Sequence, residues 1–280
     1  MDVYTVLPTF GSYATPSTIL DGARLAEELG FHGVATTDHV LVPNSSDGSA
    51  DRYACVYDVL TVLASVASVT ERVRLMTSIV VLPMREPILV AKQVATTDRL
   101  SNGRVVLGLG AGYNKQEFDN IGSQFARRGQ RLDEGVRYLR HLFSGSLELF
   151  EGEFYGNADG LFDPVPERGA GLPLMLGGNS DVAIARAARL GDLWQSNPNV
   201  SPDEFPERRR LLESLAGERR VSPGARVHMT ASVEEMRSKA LAYLNAGAEH
   251  LTIEFFPFEA FDDKLRLFAR EVLATVQNGG

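Results

Sequence analysis

The chain is poor in cysteine. A single one, Cys55, stands among 280 residues, so no internal disulfide can form. That composition fits a reducing compartment, and Cys55 reads as a small apolar filler. Basic residues are also in deficit. Lys and Arg total 28 against 36 Asp and Glu, a net charge of −8, which argues against the basic face that sequence-independent nucleic-acid binding requires. No run of about 18 apolar residues occurs, so a membrane span is not expected, and the opening residues lack a charged n-region with an apolar h-region. The reading is a soluble, cytoplasmic protein. His-x-His and His-x-x-x-His spacings are missing, which excludes the simplest metallohydrolase arrangement. There is no Walker sequence and no nucleophile elbow. No Gly/Ser or Pro-rich linker divides the chain, so one domain over 1–280 is expected.

What is present is alternation of strand and helix. Val3–Leu7, Gly33–Thr36, Arg72–Leu82, Val105–Leu109, Leu174–Leu176, Leu193–Gln195, Arg226–Thr230 and His250–Phe256 read as eight strands. Helices fall between them. Thr15-Pro16 supplies a cap and an N1 proline, and Asp58, Pro87, Asp181 and Ser232 open others. Ser201-Pro202-Asp203-Glu204 reads as a helix start. A helical region over Gln116–Phe143 is expected to break near Gly122 and Gly129. Phe150–Leu172, rich in Gly and Pro, reads as an insertion, and Leu41–Tyr57, with Pro43, Asn44 and Gly48, as a polar loop. Eight alternating units in one domain favour a closed (β/α)8 TIM barrel over an open sheet.

In such a barrel the loops after the strands surround one pocket. The strand ends therefore name the candidates. Strand two ends in Asp38-His39, an ionisable pair. His39 is either a histidine satisfied by Asp38 or a backbone carbonyl, or a hydrogen-bond or proton donor to a bound ring. Ser78, Ile79 and Val80 close strand three, and Gly108, Gly110 and Gly112 follow strand four. Those glycines resemble a dinucleotide fingerprint, but Asn114 and Lys115 break the pattern and no acidic residue can be assigned to a ribose. Gly177-Gly178-Asn179-Ser180, between a strand and a helix start, is either a tight turn or a phosphate cradle. Trp194, the lone tryptophan, either packs the core or lines the pocket. Pro8, Ile79 and Leu82 are apolar strand-end residues available to keep a pocket dry. His32, His141, His228 and His250 are scattered and read as structural. The Arg127-Arg128 and Arg208-Arg209-Arg210 clusters read as solvated helix faces.

Three stretches resemble one family. They are Leu25–Phe31 leading to Thr37-Asp38-His39; Ala91–Arg104 running into Gly108–Asn114 and Glu117-Phe118; and Leu176–Asn179 followed by Gly191–Trp194. Together they are similar to the bacterial luciferase-like monooxygenase superfamily, and most to its F420-dependent branch. The resemblance implies a luciferase-like TIM barrel with an insertion between the fourth helix and fifth strand, and a homodimer. It implies coenzyme F420, or alternatively FMN, across the strand C-termini. His39 would then sit beside the reactive ring as the catalytic residue, preceded by Asp38. A cis non-proline peptide is implied within Thr77-Ser78-Ile79, behind the ring. Gly110, Ala111, Gly112, Asn114 and the Gly177–Ser180 turn would hold the cofactor's tail and phosphate, with Trp194 as a further cofactor contact. The F420-dependent glucose-6-phosphate dehydrogenases carry a glutamate acid where this chain has Tyr113, and a tryptophan where it has Pro43. The expected activity is hydride transfer between F420 and a small organic substrate. The alternatives are an FMN-dependent monooxygenase and a non-catalytic cofactor-binding protein.

Overall fold

A computed structural model describes residues 1–43, 53, 55–156, 159–230 and 232–278; Asn44 and Gly48 of the polar loop lie outside them. All strands are parallel. They run β1 (Asp2–Val6), β2 (Gly33–Thr36), β3 (Arg74–Thr77), β4 (Val80–Val81), β5 (Val105–Gly110), β6 (Leu174–Gly177), β7 (Leu193–Ser196), β8 (Ser222–His228) and β9 (His250–Glu254). β1 pairs with both β2 and β9, and the β3–β5 pairing closes the ring. β3 and β4 are the two halves of the expected third strand. They are separated at Ser78–Ile79, whose peptide bond is cis. The result is the eight-stranded parallel barrel that the alternation implies.

The outer helices are α1 (Pro16–Glu28), α2 (Val59–Ala67), α3 (Pro87–Leu100), α4 (Lys115–Asn120), α5 (Arg128–Phe143), α6 (Asp181–Leu190), α7 (Phe205–Ala216), α8 (Val233–Asn245), α9 (Phe261–Phe268) and α10 (Ala274–Asn278), with a π-turn over Ala269–Leu273 joining the last two. Their starts follow local chemistry. Thr15 caps α1 in a capping box with Thr18, Asp58 caps α2, Ser180 caps α6 and Ser232 caps α8. Helix residues such as Val62, Val90, Ala91, Val94 and Leu139 bury one face against β-branched and leucine side chains of the strands.

One expectation holds and three need correction. The helical break spans 121–127, with Gly122 (φ +71°) inside it and Gly129 just past its end, at the second residue of α5. There its missing Cβ admits the Arg186 guanidinium, 2.8 Å from where that atom would be. β8 spans Ser222–His228 rather than Arg226–Thr230, because Pro223-Gly224 pairs with Trp194-Gln195 of β7 inside the strand. The hydrogen bonds of the Ser201–Glu204 box form, but they close a turn ahead of α7. Cys55 is exposed rather than an apolar filler.

The insertion between α5 and β6 carries no strand among its described residues. It is fastened to α5 by Glu134, whose carboxylate accepts the backbone N–H groups of Glu153, Phe154 and Tyr155 at 2.7–2.9 Å.

Candidate active site

At the C-terminal ends of the strands lies a cavity of about 700 Å³, within the usual size for a cofactor or ligand site. It receives Asp38, His39, Ser78, Ile79, Gly110, Ala111, Gly112, Asn114 and Gly177–Ser180, twelve of the thirteen residues that the family resemblance implies as catalytic or cofactor contacts.

The exception is Trp194, and it is a correction. Trp194 is fully buried behind the cavity wall, stacked on Phe205 with ring centroids 5.5 Å apart. Its Nε1–H donates to the Gly178 carbonyl at 2.8 Å. It braces the glycine turn from outside, because a ring that packs between β7 and α7 cannot also face the barrel mouth. Pro8 and Leu82 likewise stay out of the cavity wall; Leu82 is core.

Asp38 and His39 have different environments. Both carboxylate oxygens of Asp38 are engaged. Oδ2 accepts the Val81 N–H at 2.9 Å and Arg85 Nε at 3.1 Å, and Oδ1 accepts Arg85 Nη2 at 2.6 Å. Arg85 also reaches Asp58, the α2 cap, at 3.0 Å. The partner of His39 is therefore not Asp38 but Glu117, on the first turn of α4. His39 Nδ1 donates to Glu117 Oε2 at 3.0 Å, and the Val40 N–H donates to Oε1 at 2.6 Å. Burial raises the Glu117 carboxyl pKa, but the hydrogen bonds from His39 and Val40 outweigh it and hold the group below the ordinary value. An ionised Glu117 fixes the Nδ1–H tautomer and leaves Nε2 for the cavity. Tyr53 packs on the His39 ring at 4.1 Å between centroids, and Tyr113 meets it edge-on at 6.3 Å.

The floor is flat because it has almost no side chains. A Cβ on Gly110 would lie 2.6 Å from Ile79 Cδ1, and one on Gly177 would lie 3.3 Å from Ile79 Cγ2. Gly112 (φ +77°) and Gly178 (φ +137°) adopt backbone conformations that suit glycine. Asn114 caps α4, and Asn179 Oδ1 accepts the Asn197 N–H at 2.8 Å, fixing the turn. Ser180 opens α6, whose N-terminus favours an anion.

Sequence reasoning missed several wall residues. Arg128, read as a solvated face, lines the cavity. Its Nε donates to the Gly112 carbonyl at 3.0 Å and its guanidinium lies 3.8 Å over the Phe125 ring. The half-buried Arg226 pairs with the buried Glu254 at 2.6 Å, with the exposed His228 beside Glu254 at 3.7 Å. Gln195 also reaches the wall. The strand-end rule finds Arg226 once β8 is set to Ser222–His228, and finds Glu254 as the last residue of β9. Glu117 stood in the Glu117-Phe118 motif without an assigned role. Among the described residues no group of three His, Cys, Asp or Glu side chains could hold a metal ion, and no helix is long and apolar enough to cross a membrane.

A flat glycine floor, an isoleucine shelf, a helix N-terminus with a nearby arginine and a histidine at the rim fit a tricyclic ring with an anionic tail. The family model for luciferase-like monooxygenases matches residues 1–276. The chain belongs to the luciferase-like monooxygenase family. Among relatives of this family member, the uncharacterized protein Rv0940c of Mycobacterium tuberculosis is 32% identical over 65% of this chain and 66% of its own length. The F420-dependent glucose-6-phosphate dehydrogenase of Rhodococcus erythropolis is 31% identical over 72% of this chain, and the chain spans only 58% of that relative. The fold is shared with an F420-dependent secondary alcohol dehydrogenase in complex with an F420–acetone adduct (TM-score 0.83, 18% identity, 98% of both chains). It is also shared with the oxygenating constituent of 3,6-diketocamphane monooxygenase of Pseudomonas putida in complex with FMN (TM-score 0.80, 14% identity, 99% of both chains).

Proposed function

We propose that this luciferase-like protein is an F420-dependent oxidoreductase that moves a hydride between coenzyme F420 and a small organic substrate. The observation that carries the reading is the His39–Glu117 pair at the edge of the glycine-floored cavity. The similarity to F420-dependent glucose-6-phosphate dehydrogenases supports the choice of cofactor.

When bound, F420 supplies a ring carbon that takes up or gives up the hydride. Gly110–Gly112 and Ile79 would flank the ring, and Arg128 with the Gly177–Ser180 turn would hold the anionic tail. As an alcohol loses hydride from carbon, its hydroxyl proton must also leave. His39 Nε2 takes that proton, and Glu117 stabilises the imidazolium that forms. In the reverse direction His39 returns the proton to the carbonyl oxygen. Val81, Met84 and Phe118 make an apolar stretch of wall that limits water at the reacting centre.

Titration of the purified protein with F420 and with FMN tests the reading. F420 binding is expected, and His39→Ala should keep that binding while turnover falls about 10²-fold or more. Tight FMN binding without F420 binding reverses the assignment in favour of a monooxygenase. Normal binding without turnover across a broad panel of alcohols and acceptors favours a non-catalytic cofactor-binding role. We also propose a homodimeric, cytoplasmic protein on the strength of the family resemblance; light scattering and cell fractionation check the two points.

A further inference from the structure

Ser78 is held by three different strands. Its N–H donates to the Thr36 carbonyl of β2 at 2.8 Å. Its Oγ–H donates to Gln195 Oε1 of β7 at 2.6 Å. Its carbonyl accepts Arg226 Nη1 of β8 at 2.5 Å. Each partner is itself fixed. Gln195 Nε2 donates to Thr252 Oγ1 of β9 at 2.7 Å. Arg226 donates to Glu254 through Nε at 2.9 Å and Nη2 at 2.6 Å, and to Thr37 Oγ1 at 3.1 Å. Ser78, Gln195, Thr252 and Glu254 are all 3% exposed or less.

A polar network in the cavity wall, beside the glycine floor, needs a reason, since Ser and Gln add desolvation cost that an apolar lining avoids. The neighbour of Ser78 supplies one. Ile79 covers the bare backbone of Gly110 and Gly177, with no Cβ on either to stop it sliding. Packing fixes one side of that residue, and three hydrogen bonds on the preceding residue fix its backbone.

We propose that Gln195 and Arg226 are positioning residues, which act through Ser78 to set the Ile79 shelf against which the cofactor ring rests. The inference rests on the cofactor reading above. Neither side chain is assigned a chemical step.

The test uses full-length protein and F420 as the probe. Affinity is followed by fluorescence quenching and ring geometry by the visible circular dichroism of the bound cofactor. Gln195→Leu, which cannot accept from Ser78 Oγ, should bind F420 at least ten-fold more weakly and change the dichroism of the bound ring. Gln195→Glu, which keeps that acceptor, should restore both signals most of the way. Ser78→Ala keeps both backbone bonds and the fold, loses only the Gln195 contact, and should shift the dichroism in the same sense as Gln195→Leu. Arg226→Lys, which cannot span Ser78, Thr37 and Glu254 together, should behave as Gln195→Leu does. Wild-type affinity and dichroism in both Gln195→Leu and Ser78→Ala overturn the proposal. So does a Gln195→Glu protein no better than Gln195→Leu. Wild-type protein that binds neither F420 nor FMN overturns the cofactor reading itself, and the inference with it.

Discussion

Glu117 and His39, 78 positions apart in the chain, meet at 3.0 Å with both side chains buried. The contact defines what each can do. Glu117 also accepts the Val40 N–H, so it serves the backbone and the imidazole with different oxygens. Glu117→Gln keeps the shape and removes the charge, and is expected to lower turnover about 10-fold to 10²-fold with little change in F420 affinity. Glu117→Ala also removes the acceptor of the part-buried Val40 N–H and should cost about 1 kcal/mol of stability. Steady-state kinetics paired with denaturant melts separates the two effects.

His250 is buried at the base of the barrel, and neither ring nitrogen has a hydrogen-bond partner. Burial pushes its pKa down to about 4 from an ordinary 6.5. Between those values the unfolded chain binds a proton that the folded chain refuses. Stability is therefore unaffected above about pH 6.5 and falls as the pH drops towards 4, by about 1.4 kcal/mol per unit and about 3 kcal/mol in all. His250→Leu should remove that part of the acid slope. Urea unfolding of both proteins from pH 7.5 to 4.5 measures it as the difference between two curves.

Gly108 and Gly110 are two residues apart, yet they should tolerate alanine differently. A Cβ on Gly108 would lie 1.9 Å from the Thr77 carbonyl oxygen, a backbone atom that cannot give way. On Gly110 it would meet the end of the Ile79 side chain, which can rotate. Gly108→Ala is expected to cost about 3 kcal/mol or more, and Gly110→Ala about 1–2 kcal/mol with a weaker cofactor complex. Thermal melts and F420 titration distinguish them.

Trp194 braces the Gly177–Ser180 turn from behind. Trp194→Phe keeps most of the stacking on Phe205 but deletes the donor to the Gly178 carbonyl. About 1–2 kcal/mol of stability should go with it. F420 affinity should fall several-fold, and turnover at saturating cofactor should be nearly unchanged. A kcat loss larger than the affinity loss counts against a purely supporting role.

The barrel was legible because strand and helix periodicities are local properties. Gly33–Thr36 and Asp181–Leu190 are found where the pattern places them. β8 was displaced because Pro223-Gly224 carries a turn signature that tertiary pairing with β7 overrides. The candidate site was legible wherever strand ends carry it, as at Asp38-His39 and Gly177–Ser180. The partner of His39 was not, since which carboxylate arrives from a neighbouring loop is decided by how α4 folds back over β2. Trp194 shows the same limit: β7 begins at Leu193 as expected, but its residues alternate between two faces, and only the packing on Phe205 of α7 decides which face the ring takes.

The clasp formed by Glu134 has an evolutionary consequence. One carboxylate on α5 gathers three successive amides of the insertion, so attachment depends on main-chain N–H groups that every residue but proline possesses. The excursion beyond the clasp is thereby free to change in composition and length while its anchor point, and the barrel beneath, stay as they are.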